Sequence, residues 1–236
     1  MLSATPLHPQ WFSFRGKRKA LDKVIDANPG FLLDIGCGDG VLRGHLPPSS
    51  RYVGFDYPIT GKSYNTSPEV YGDAGALPFL SATFDGVALL DVLEHLPKPE
   101  TTLNEIFRTL APGGRLFINV PYLYPLHDEP FDYQRPTVHG LTGWLKSAGF
   151  EIETIAHVGD PSQTLALLFN IAMARFIVRS SRFFQPLLLL APLTLPLFLL
   201  VNSIGWCFTA FGQGEHFMPF AYWSVARRPL SNEVGR

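Results

Sequence analysis

Leu33-Asp34-Ile35-Gly36-Cys37-Gly38-Asp39-Gly40 closes a short apolar run, Phe31 to Ile35, with three glycines set two residues apart. A buried strand that breaks at once into glycines and then opens a helix is the context of a ligand-binding turn in an α/β sheet. Gly36, Gly38 and Gly40 let the backbone turn sharply and approach a ligand with no Cβ in the way. In open sheets of this kind ligands sit outside the carboxyl ends of the strands. The glycines alone do not tell which adenosine-bearing ligand the turn serves.

Outward from this run, strands and helices alternate. Tyr52 to Phe55, Val70-Tyr71, Phe84 to Leu90, Arg115 to Val120, residues 151–157 and residues 218–226 read as further strands. Residues 15–27 and 39–46 read as helices. So do 99–110, with Leu103, Ile106, Phe107 and Leu110 on one face, and a segment capped by Thr137 and closed by Gly149. The pattern predicts an α/β fold, a Rossmann-like, mostly parallel sheet with helices on both faces. Residues 1–30 make an N-terminal helix or lid, and 31–160 the ligand-binding core. An apolar insertion follows at 161–216, then a final strand at 217–228 and a tail at 229–236.

Acids stand where the strands end. Asp34 lies inside the first strand, within reach of a ligand ammonium directly or through water. Asp56 ends the second strand, where a carboxylate accepts both hydroxyls of a ribose. Asp73 ends the third, positioned for an adenine amine, with the Ala74 N–H available to the ring. Asp91 follows the fourth strand. A nicotinamide enzyme shares the ribose acid, but the chain has no Tyr-x-x-x-Lys pair and such an enzyme leaves Asp73 without a task.

The stretches LLDIGCGDG, YVGFDY, GDAGALPF, FDGVALLDVLEHL and LAPGGRLFINVP, in this order over residues 31–121, resemble the class I S-adenosylmethionine-dependent methyltransferases. The likeness is to the small-molecule enzymes related to quinone and biotin-precursor methylases. The resemblance implies S-adenosylmethionine as cofactor, held by Asp34, Gly36, Gly38, Gly40, Asp56, Asp73, Ala74 and Asp91. It also implies a seven-stranded sheet whose last strand is antiparallel.

Methyl transfer from a sulfonium is an in-line displacement, so placing the nucleophile supplies much of the catalysis. An oxygen acceptor also needs a base. Two segments offer one. Asp91-Val92-Leu93-Glu94-His95 borders the cofactor's methionine end in the resembling family; there His95 is a candidate, although Glu94 and His95 could equally cap the next turn. Residues 121–137 gather His127, Asp128, Glu129, Asp132, three tyrosines and Arg135 in a proline-rich stretch suited to a substrate lid. His127 is the expected general base, oriented by Asp128 or Asp132, while Asp132 and Arg135 could instead form a structural ion pair. This stretch resembles that of methyltransferases found among bacterial surface-polysaccharide functions. No metal is expected, His127, Asp128 and His139 being a weaker alternative. Trp11 and Phe12 could close over the cofactor or pack in the core.

The formal net charge is -1 and no basic stripe is present, which argues against a nucleic-acid partner. Two cysteines without metal-ligand spacing fit a reducing compartment, and the first residues lack the apolar run of a signal peptide. Residues 183–211 carry 29 positions without a charge, more than the ~20 needed to cross a bilayer. The strands on either side share one sheet, so the chain crosses an even number of times or not at all. A two-crossing hairpin would export Arg179 and Arg182 against the positive-inside tendency, and Pro186, Pro192 and Pro196 interrupt the run. A monotopic insertion through 161–211 on the cytoplasmic side is therefore expected, with a hairpin, an apolar substrate pocket or a homodimer interface as alternatives. The expected acceptor is a lipid, lipid-linked glycan or other amphipathic small molecule, methylated on oxygen. A soluble small-molecule methylase and a cofactor-binding scaffold without catalysis are the rivals.

Overall fold

A computed structural model describes residues 2–59, 64, 66–180, 192, 194–209 and 217–230. Its strands are β1 (Phe31–Ile35), β2 (Arg51–Asp56), β3 (Val70–Tyr71), β4 (Phe84–Leu90), β5 (Leu110–Pro121), β6 (Glu151–Val158) and β7 (Ala221–Arg227). They form one sheet in the order β3-β2-β1-β4-β5-β7-β6. The pairs β2–β3, β1–β2, β1–β4 and β4–β5 are parallel. The amides of Gly113 and Arg228 exchange hydrogen bonds with the carbonyls of Arg228 and Gly114. The start of β5 thus meets the end of β7, which makes β7 antiparallel to it. The sheet is the expected one.

Five α-helices occur among the described residues: α1 (Trp11–Ala27), α2 (Pro99–Thr109), α3 (Val138–Ser147), α4 (Pro161–Ser180) and α5 (Thr194–Phe208). Thr137 Oγ1 accepts the Gly140 amide at 3.1 Å, capping α3 as its sequence predicts. The helix expected at 39–46 is instead a series of turns. Gly40 has φ +67° and Gly44 lies four residues on, ahead of Pro47-Pro48, so the segment is too short and too glycine-rich to sustain a ladder.

The chain divides into two compact units. One comprises Ala20–Tyr122, Leu126–Ala156 and Tyr222–Arg236. Its core holds Leu33, Phe55, Val87 and Leu89 from the strands with Leu103 and Ile106 from α2, all buried. The strand sequence reverses direction across the sheet between β1 and β4, the place where such sheets bind ligands.

The other unit comprises Met1–Lys19, Leu123–Pro125 and His157–Ala221. Here α4 packs on α5. A Cβ on Gly205 would lie 2.9 Å from Ala166 Cβ, so glycine is what allows that approach. Asn170 donates to Asn202 at 2.9 Å in the buried seam, and Asn202 donates to the Pro6 and His8 carbonyls at 2.7 and 3.1 Å. Trp11 and Phe12 join Ala166, Leu167 and Phe220 in this core, the packing role the sequence left open. The 20 residues of α4 have mean hydropathy 1.3 over their most apolar stretch, of which 22% is buried; length and composition would let the helix cross a membrane. It is longer than the uncharged run 161–174 because it continues through Arg175 and Arg179. Residues 183–191, 193 and 210–211 of the long apolar run lie outside the described residues.

Candidate active site at the carboxyl ends of the strands

β1 ends in the glycine turn. Gly36, Gly38 and Gly40 all take positive φ, +70°, +52° and +67°, which other residues adopt only under strain. A Cβ on Gly36 would stand 2.3 Å from Val92 Cγ2, so the turns after β1 and β4 abut only because the side chain is missing. The Gly36 amide donates to the Phe55 carbonyl at 2.8 Å and the Gly38 amide to Asp56 Oδ2 at 3.0 Å. Asp56, buried at the end of β2, also accepts the Tyr57 amide at 2.7 Å.

Asp34 is 4% exposed, and Tyr52 Oη donates to its Oδ2 at 2.8 Å. Burial pushes the Asp34 carboxyl up to about 7, against the downward pull of the Tyr52 hydrogen bond. Burial likewise pushes the neighbouring Cys37 thiol up to about 12, which makes it a poor nucleophile. Asp73 is exposed after β3 and accepts the Gly75 amide at 2.8 Å, with Ala74 buried beside it. Asp91 has φ +56°; its Oδ1 accepts from Asn119 Nδ2 at 2.7 Å while its amide donates to the Asn119 carbonyl.

The segment after β4 and the loop at 126–137 come together. Gln134 Nε2 donates to the Leu93 and Leu96 carbonyls at 2.9 and 2.8 Å, and the Tyr133 amide to the Glu94 carbonyl at 2.9 Å. These bonds bring His127 Nε2 to 3.6 Å from Glu94 Oε1 and His95 Nε2 to 3.8 Å from the same oxygen. The two imidazoles stand edge to face, centroids 4.9 Å apart. Glu94 is fully buried, and burial holds its carboxyl above the usual range while His127 pulls the other way.

Of the two acids considered for His127, Asp132 is the one beside it, with Oδ2 3.4 Å from Nδ1 and accepting the His127 amide at 3.0 Å. Asp132 also pairs bidentately with Arg135, whose Nη2 donates to Oδ2 at 2.6 Å and whose Nη1 donates to Oδ1. Orienting acid and ion pair are therefore the same residue. Burial pushes Asp132 up, but Arg135 and the His127 amide outweigh it and hold the carboxyl below its ordinary range. Asp128 faces His95 instead, 3.8 Å from its Nε2 and 74% exposed. His139 is exposed and stands outside the cluster. Tyr52, Asn119 and Gln134 were not legible in the sequence; each acts across 18 to 41 residues of chain.

A methyltransferase-domain family model matches residues 33–118. The chain is 33% identical over 116 residues to the demethylmenaquinone methyltransferase of Thermus thermophilus, covering 44% of this chain and 53% of that protein. To the ubiquinone biosynthesis O-methyltransferase of Xylella fastidiosa it is 24% identical over 174 residues, 58% of this chain and 67% of the other. The chain thus spans about half the length of the demethylmenaquinone methyltransferase it matches. Among solved structures, the Burkholderia thailandensis 1,6-didemethyltoxoflavin-N1-methyltransferase, with S-adenosylhomocysteine bound, has the same fold. Its TM-score is 0.52 at 18% identity, over 91% of this chain and 78% of that one. S-adenosylmethionine is the cofactor of such domains, and the side-chain-free cradle at Gly36 together with the acids closing β1, β2 and β3 suits it. Over residues 33–118 the chain is therefore similar to the S-adenosylmethionine-dependent methyltransferase domains.

Proposed function

We propose that the chain is a methyltransferase that moves the methyl group of S-adenosylmethionine to an oxygen of an amphipathic small molecule, working at the cytoplasmic face of a membrane. The observation that carries the oxygen acceptor is His127, backed on Nδ1 by Asp132 and facing Glu94 with Nε2. In this reading the acceptor O–H gives its proton to His127 Nε2 as the oxygen attacks the methyl carbon and the carbon–sulfur bond breaks. The products are S-adenosylhomocysteine and a methyl ether or ester. Glu94 steadies the imidazolium. Asp34 receives the cofactor's ammonium, Asp56 its ribose and Asp73 its adenine; Asp91, held by Asn119, lines the methionine end.

Membrane contact is supported by the outer faces of α4 and α5. Leu165, Phe169 and Phe176 are exposed on α4 at helical spacing, and Leu200, Ile204 and Trp206 on α5. Arg175 and Arg179, also exposed, follow on α4 where they would meet headgroups. The same surface fits a homodimer of a soluble enzyme, so the test addresses both. The purified protein is floated with vesicles with and without anionic lipid and sized in their absence. It is then incubated with methyl-labelled cofactor and separate organic and aqueous extracts of its host. Flotation together with label in the organic extract supports the reading. Label confined to the aqueous extract, with a dimer that ignores vesicles, replaces it with the soluble enzyme. Cofactor binding with no label in either extract leaves a scaffold.

A further inference from the structure

Glu94 is 0% exposed, and neither of its carboxylate oxygens has a hydrogen-bond partner among the described residues. A buried carboxylate in that condition is strongly unfavourable unless a cation or a donor meets it. Two imidazoles are aimed at the same space. His95 Nδ1 lies 2.9 Å from the Phe131 carbonyl, which can only accept, so Nδ1 carries the hydrogen and Nε2 turns a lone pair toward Glu94. His127 has the acid Asp132 behind Nδ1 at 3.4 Å, and its Nε2 too faces Glu94. Arg135 Nη2 lies 3.3 Å from that Nδ1, but its charge is engaged by Asp132.

We propose that Glu94, His95 and His127 bind a first-row divalent transition-metal cation. One ligand atom from each falls within 4.8 Å of the others. The contacts of 3.6 and 3.8 Å to Glu94 Oε1 need to close only slightly to reach the ~3.3 Å between neighbouring ligands that metal–nitrogen distances of 2.0–2.1 Å imply. His95 has its remote nitrogen backed by the Phe131 carbonyl, the arrangement that fixes metal-ligating imidazoles. The remote nitrogen of His127 lies between Asp132 Oδ2 at 3.4 Å and Arg135 Nη2 at 3.3 Å, so a cation on Nε2 requires its hydrogen to sit on the Asp132 side. Exposed Asp128, 3.8 Å from His95 Nε2, stands where it could add a fourth ligand from the solvent side. Two imidazoles favour zinc, iron or nickel over magnesium, calcium and manganese, which prefer oxygen ligands.

The site rests on its own ligand geometry and does not require the methylation reading. If both hold, the cation takes the Nε2 lone pair and His127 ceases to be the base. The open coordination positions would then hold the acceptor oxygen, whose proton, more acidic on the metal, would pass to solvent water before the oxygen takes the methyl group.

The test uses the full chain after dialysis against a chelator. Zn2+, Mn2+ and Mg2+ are titrated separately by calorimetry, and Co2+ is added to read the ligand field spectroscopically. One Zn2+ per chain is expected, with Mg2+ at least tenfold weaker and a Co2+ spectrum showing nitrogen ligation. Glu94→Gln, His95→Ala and His127→Ala should each weaken Zn2+ at least tenfold, since even outer partners of metal ligands contribute ~10–100-fold. Wild-type protein with no stoichiometric Zn2+ binding overturns the proposal, whatever its methylation activity. So do histidine variants that bind Zn2+ as tightly as wild type. Because the wild-type spectrum alone decides whether nitrogen ligands are present, a variant that fails to fold does not protect the proposal.

Discussion

Asp34 should make the folded protein less stable as the solution becomes less acidic, and Asp34→Asn should abolish that behaviour. Burial pushes the carboxyl up to about 7 from an ordinary value of 3.8. In the unfolded chain it releases its proton near the ordinary value, whereas the folded chain retains it to about 7. Between those two values the folded state binds more protons than the unfolded one. Stability is then undiminished below about pH 4 and declines as pH rises toward 7. Three pH units at 1.36 kcal/mol each amount to roughly 4 kcal/mol, a large share of a typical domain's 5–15 kcal/mol. Urea unfolding of the wild type and of Asp34→Asn at pH 4.5, 6 and 7.5 reads this directly. The asparagine variant should gain on the wild type steadily over that range. Parallel profiles would refute the reasoning, because they would mean that the carboxyl ionises as easily folded as unfolded. The cofactor offers a second view. An ammonium placed beside Asp34 favours its ionised form, so binding should expel about half a proton at pH 7 and nearly a whole one at pH 6. Calorimetric heats measured in buffers of different ionisation enthalpy would show it, and the variant should show none.

Gly36→Ala should lower stability by about 1–3 kcal/mol through its φ of +70° and the 2.3 Å approach to Val92, and should weaken cofactor binding. Adding Val92→Ala should recover the steric part and leave the backbone part, as a double-mutant cycle in urea would show. Arg135→Leu strands Asp132, whose side chain is 1% exposed, and should lower stability at neutral pH by about 3–5 kcal/mol. The depressed Asp132 group contributes stability at neutral pH that is lost as pH falls through its folded value, so the variant's acid limb should be shallower. Asn202→Ala leaves Asn170 and the Pro6 and His8 carbonyls without their donor or acceptor, and should lower the thermal midpoint by the equivalent of about 1–3 kcal/mol.

The centre of the sheet was legible because β1 and β4 are largely buried and therefore mostly apolar; Phe84–Leu90 lies where its sequence puts it, residue for residue. The glycines and strand-end acids were legible because the turn follows its strand directly in sequence. Residues 39–46 misled, since a helical pattern that short says nothing about whether tertiary contacts will sustain it. What sequence could not give is pairing at a distance. Tyr52 meets Asp34 because β1 and β2 lie side by side in register, Asp34 opposite Gly54. Glu94 looked like a turn cap, and its isolation follows only from how the loop at 126–137 settles over it. Gln134 carries no mark of its role, yet its two bonds to the Leu93 and Leu96 carbonyls hold that loop in place.

Asp34 and Glu94 have a common logic. β1 and β4 are neighbours in the sheet, and each places a buried acid at or just beyond its carboxyl end. Burial raises both groups. A chain selected for stability alone would replace such acids with apolar residues of similar size, a change that is often neutral or favourable. Their presence is understandable if each acid meets a positive charge during function: a sulfonium cofactor's ammonium at Asp34, and an imidazolium or a metal ion at Glu94. The two strand ends would then be less favourable in the empty protein than in the loaded one, and binding would relieve both. On this view stability and affinity are traded at the same two residues. Their substitutions should therefore move the two properties in opposite directions, whereas substitutions at Asn202 or Arg135, whose hydrogen bonds are already complete within the fold, should not.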